Sequence, residues 1–243
     1  MEKYNQEQIS MLSKENGWSV EQKRIKGERE NKYFLNGKKA PYLYLEHHLC
    51  SQYTAYSLIE KDLRSIISWQ SSIKEIISNN DVLTREEHPE KIDLIKALFV
   101  ASVTFYGKCF TKCDGRRVKL EEKDVIDIEY KDIHKSIMNV RHNLAAHSGA
   151  EGFEKSRVAL VLNPNIYADE KYKIFIELMQ LNYFRDTEED KFLQLVLDLQ
   201  KKIKKKISML EDKILSEIVE KENPLHWYTL SGEKKETQKM GDV

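Results

Sequence analysis

From Ser51 onward the apolar positions recur at three- and four-residue steps. Tyr56, Ile59, Leu63, Ile66, Ile73 and Ile77 share one stripe, with only Gln70 interrupting the register. This is the spacing of an amphipathic helix. Ser78-Asn79-Asn80-Asp81 ends it. Pro89 stands where a first helical turn accepts proline, and Ile92, Ile95, Leu98, Phe99, Val103, Tyr106 and Phe110 follow. The second predicted helix is apolar around much of its circumference and should be the most buried. Cys113-Asp114-Gly115-Arg116-Arg117 breaks it. A third helix is predicted from Asp127 to about His147, with Ile133, Ile137, Met138 and Leu144 inward and glycines after its end. The period then changes. Arg157–Leu162 and Tyr172–Leu178 read as two strands joined through Asn163-Pro164-Asn165. Asp186-Thr187-Glu188-Glu189-Asp190 suits a helix start. The stripe Phe192, Val196, Leu199, Ile203, Ile207, Leu210, Ile214 and Ile218 then predicts a long last helix, ended by Pro224.

The expected architecture is mainly α: four helices with a small β-hairpin inserted before the last long helix. Residues 1–50 are expected as an N-terminal extension, irregular or a short hairpin around the Asn36-Gly37 turn dipeptide. Residues 51–230 form the helical domain, and 231–243 a polar tail.

Composition supports this reading. The chain has 243 residues, the size of one domain or of one with an extension. Nine Gly and four Pro are few for that length and favour long helices over turn-rich β structure. Forty basic residues balance forty acidic ones, so a contact with nucleic acid must come from a local patch rather than from overall charge. Three cysteines point to a reducing compartment. No apolar run reaches membrane length, and the first residues have no apolar core of a signal peptide. The expected location is cytoplasmic, with no membrane partner.

The segment Met138-Asn139-Val140-Arg141-His142-Asn143-Leu144-Ala145-Ala146-His147-Ser148-Gly149 holds the most informative chemistry. Arginine is a permanently charged, bidentate partner for phosphate. Histidine exchanges protons near neutrality. Together they suffice for metal-free RNA cleavage. His147 would take the proton from a 2′-hydroxyl or give one to the leaving 5′-oxygen, and Arg141 would stabilise charge on the pentacoordinate phosphorus. On an ideal helix the two lie about 120° apart. Either the helix unwinds near His147 or a second copy completes the site, and Ala145 and Ala146 favour close approach of another helix. Asn143 and His134 fall on better-aligned positions and are candidate supporting residues. The same residues also suit a plainer role, Arg141 in a surface salt bridge and His147 at a helix C-terminus.

Arg-His-Asn-Leu-Ala-Ala-His resembles the R-x4-6-H motif of the HEPN superfamily, with five intervening residues here. Phe105-Tyr106-Gly107-Lys108-Cys109-Phe110-Thr111 and Gly115-Arg116-Arg117-Val118-Lys119-Leu120 resemble a helix pattern of its abortive-infection members. The resemblance covers about Ser51 to Glu220, and its specific part runs from Phe105 to Gly149. It implies an HEPN-like four-helix bundle and a homodimer whose two motifs face each other. It implies a metal-independent endoribonuclease without a cofactor, acting as a toxin or phage-defence effector and answering to an antitoxin or activator protein. Arg141 and His147 would be catalytic, with His142 as the polar position after the arginine and Asn143 helping to position RNA. The alternative is a catalytically inactive HEPN-like binding protein in a defence or toxin-antitoxin system.

Three further groups bear on this. Lys108, Lys112, Arg116, Arg117 and Lys119 crowd one helix end and loop, as a phosphate-contacting patch for RNA or as a solvated loop. Lys201, Lys202, Lys204, Lys205 and Lys206 are balanced by nearby acids and read as a solvated face. Cys109 and Cys113, and separately His47, His48 and Cys50, lack the spacing of a zinc site, so no metal is expected.

Overall fold

A computed structural model describes residues 10–25, 28–80, 83–84, 87–113, 115–146, 154–165, 167, 169–180 and 186–232. The helical stripes are realised as four principal helices: α1 (His48–Ser78), α2 (Pro89–Phe110), α4 (Lys131–Ala146) and α5 (Asp186–Ile214). Pro89 occupies the first turn of α2, as expected of a residue without a backbone N–H. Between α2 and α4 lie a single-turn helix, α3 (Glu122–Val125), and a 3-10 turn at Ile128–Tyr130. The third predicted helix therefore starts four residues later than Asp127. A last short helix, α6 (Pro224–Leu230), uses Pro224 as its first residue, and the Asn223 side chain accepts a hydrogen bond from the Leu225 N–H.

The chain divides into two compact units, residues 48–212 and residues 1–47 with 213–243. In the first, α1, α2, α4 and α5 contribute to one hydrophobic core. Ile59, Leu63 and Ile66 of α1 meet Ile95, Phe99, Val103 and Tyr106 of α2, Ile133, Ile137 and Val140 of α4, and Phe192, Leu195, Leu199 and Ile203 of α5. Burying side chains of this kind stabilises by roughly 1.5–3 kcal/mol each before conformational entropy is subtracted. The same unit carries a β-hairpin, the strands β5 (Glu154–Leu162) and β6 (Tyr172–Gln180), with Ala159 opposite Phe175 and Val158 opposite Ile176.

The N-terminal region has more regular structure than the expected extension. It is an antiparallel meander of β1 (Ser10–Glu15), β2 (Trp18–Ile25), β3 (Glu28–Leu35) and β4 (Lys38–Lys39). Two Asn-Gly turns shape it. Asn16 and Gly17, and Asn36 and Gly37, all have positive φ between 48° and 83°, the geometry that matches a two-residue turn to strand twist. The turns abut: the Asn36 N–H donates to the Gly17 carbonyl at 2.8 Å. Asn16-Gly17 is a turn signal that the sequence reading passed over. Leu210 is buried, but Leu215 is 46% exposed, and a π-helical stretch at Leu215–Val219 replaces the α pattern. The described residues 213–232 fall in the same unit as the N-terminal sheet.

Candidate functional site

Arg141 lies on the last turns of α4, and its position is set by α2. Gly107 is buried there because the arginine stem crosses it: a Cβ on Gly107 would lie 2.4 Å from Arg141 Cδ and 2.6 Å from its Nε. Any larger residue at 107 must displace the stem. Arg141 is half-buried, and among the described residues no carboxylate pairs with it. The salt-bridge role open to Arg141 in the sequence thus has no acid to serve it among those residues. A half-buried guanidinium without an acidic partner among the described residues has its fork of donors available for an anion.

The neighbouring motif residues divide. His142 is exposed on α4. Asn143 is half-buried, and its amide donates to Asn139 Oδ1 at 3.1 Å, the i, i+4 partner. His147 lies outside the described residues.

His134, seven positions before Arg141, belongs to the core. It is 4% exposed, and its Nδ1 lies 2.7 Å from the Tyr106 hydroxyl. Burial holds its pKa below the ordinary imidazole value, opposed by Glu122, whose carboxylate lies 3.6 Å from Nε2. That distance is beyond a hydrogen bond, but the carboxylate favours a hydrogen on Nε2. Nδ1 then accepts from the Tyr106 O–H, which burial keeps protonated by raising its pKa. His134 thereby fastens α4 to α2 about two helical turns before Arg141.

The basic patch at the end of α2 is smaller than its sequence suggests. Arg116 is turned inward, 5% exposed, and its Nη2 donates to Oδ2 of the fully buried Asp62 on α1. It is committed to the core and is not offered to phosphate. Lys108 reaches the same carboxylate at 3.3 Å and lies 5.1 Å over the Phe105 ring, leaving its side chain 44% exposed. Asp62 explains this arrangement: a buried carboxylate requires cations beside it. Sequence reasoning counted the bases but had no reason to single out an acid 54 positions away. Lys112 and Arg117 are exposed, and Lys119 is exposed beside Glu121 at 3.2 Å. These three form the solvent-facing part of the patch, near the end of the helix that carries Gly107.

Cys109 is buried, its thiol donating to the Phe105 carbonyl, and burial pushes its pKa up to about 12, so it stays protonated and inert. Cys50 and Cys113 are half-buried free thiols. Among the described residues no three His, Cys, Asp or Glu side chains converge as a metal site, and no helix is long and apolar enough to cross a membrane. Lys202 departs from the solvated face expected of the α5 lysines. It bridges Asp127 at 2.9 Å and Asp198 at 2.7 Å and donates to the Val125 carbonyl, tying α5 to the segment before α4.

No protein-family model matches the chain, and comparison with characterised proteins and with solved structures returns no significant match.

Proposed function

We propose that this protein is a metal-independent endoribonuclease of the HEPN type, a homodimer acting as a toxin or phage-defence effector. The observation that carries the reading is Arg141: a half-buried guanidinium seated on Gly107 without an acidic partner among the described residues. A cation in that setting is suited to an anion from outside, and a scissile phosphate is the anion that a general acid-base histidine six positions along the sequence makes useful. Arg141 stabilises negative charge on phosphorus, and His147 moves the proton of the 2′-hydroxyl or of the leaving 5′-oxygen. Asn143 and His142 position substrate, and Lys112, Arg117 and Lys119 attract its backbone. The helices α1, α2, α4 and α5 supply the HEPN-like four-helix bundle in this reading.

The test is incubation of the purified chain with mixed-sequence RNA in EDTA, beside the Arg141→Ala/His147→Ala variant. Cleavage by the parent alone, leaving 2′,3′-cyclic phosphate ends, is the expected result. RNA binding without cleavage by a folded parent would replace the enzyme with an inactive HEPN-like binding protein.

A further inference from the structure

The β5–β6 hairpin sorts its side chains by parity. On the odd-numbered face Arg157 pairs with Glu177 at 3.0 Å and Lys173 sits 5.6 Å over the Phe175 ring. On the even-numbered face, seven of the eight positions within 156–162 and 172–178 are Val, Leu, Ile or Tyr, and the eighth is Ser156. Such alternation marks one face of a strand pair for burial and the other for water. Among the described residues nothing covers the apolar face: its seven large side chains are exposed by between 60% at Leu160 and 75% at Leu178.

We propose that this face is a homodimer interface, on which a second copy of the chain packs its own hairpin face to face. Area and charge both select this occupant. The seven side chains present on the order of 800 Å², beyond the patch of about 300–600 Å² usual on a monomer and equal to one partner's share of a standard interface. The face carries no charge, so a different protein finds no complementary group to be chosen by. A two-fold axis, by contrast, sets the same neutral aliphatic surface on both sides and matches it to itself. Two sheets stacked about 10 Å apart would bury both faces, which a lone two-stranded hairpin needs for stability in water. The inference rests on the homodimer of the proposed function and gives it a location; it uses no residue of the Arg141 motif, so dimerisation of the hairpin variants and cleavage by the motif variants fail separately.

Sedimentation equilibrium of the full chain across the micromolar range tests it, with helical content followed by circular dichroism. The parent should be a dimer. Leu160→Lys/Ile174→Lys, which charges the even face, should weaken dimerisation about a hundredfold or more with helical content unchanged. Val161→Lys, on the odd face of the same strand, should leave the dimer intact. A monomeric parent, a double variant that stays dimeric, or equal dissociation by Val161→Lys would each overturn the proposal.

Discussion

The helical core and the β5–β6 hairpin are written in equally strong apolar patterns, yet they end in opposite environments. Ile59, Leu63 and Ile66 are 0% exposed, while Val158, Ile174 and Ile176 are each 67% exposed or more. In the helices, four stripes from one chain face one another and remove themselves from water. In the hairpin the stripe has no counterpart among the described residues. Periodicity states that a face is to be buried; it does not state against what.

The largest difference expected between the two regions is electrostatic. Arg116→Leu removes the main cation beside buried Asp62 and should cost about 3–5 kcal/mol in urea denaturation, whereas charging the hairpin through Leu160→Lys should change the stability of a single chain by less than about 0.5 kcal/mol. A comparable loss from both would mean that the hairpin face is covered within the chain. One substitution made in both regions sharpens the contrast. Leu63→Ala should cost about 2–5 kcal/mol by opening a cavity, and Leu160→Ala should cost the monomer almost nothing.

Smaller effects test the α2–α4 contact. Tyr106→Phe leaves buried His134 Nδ1 without its donor and should cost about 1 kcal/mol. The folded-state pKa of His134 is depressed, so the unfolded chain takes up that proton first. Its stabilising contribution is complete above the ordinary value of about 6.5 and is lost as pH falls from there through the folded pKa. Melting temperatures recorded from neutral to mildly acidic pH should fall more steeply for the parent than for His134→Gln, which removes the titrating ring. Gly107→Ala should cost least, below about 1 kcal/mol, because the Arg141 stem can move aside. It should nevertheless lower RNA cleavage about tenfold by unseating the guanidinium, and unchanged cleavage would separate Arg141 from the chemistry.

Much of this was legible along the chain. Three- and four-residue apolar steps located α1, α2 and α5 to within a few residues, and period-two alternation located the hairpin. Both follow from local geometry that any reader of the pattern shares. The Arg141 motif was equally visible, as a spacing of residue types suited to phosphate chemistry. Its seat was not. That Gly107 makes room for the arginine, that His134 serves Tyr106, and that Arg116 turns inward to Asp62 are pairings across 34, 28 and 54 positions. Such pairings arise from helix packing, which brings together residues whose separation in sequence carries no trace of it. The lysine count at the end of α2 misled for the same reason, since charge is a property of residues but exposure is a property of the fold. Local pattern determined which elements form and which faces avoid water; tertiary structure alone decided which arginine is consumed by the core and which has no acidic partner among the described residues.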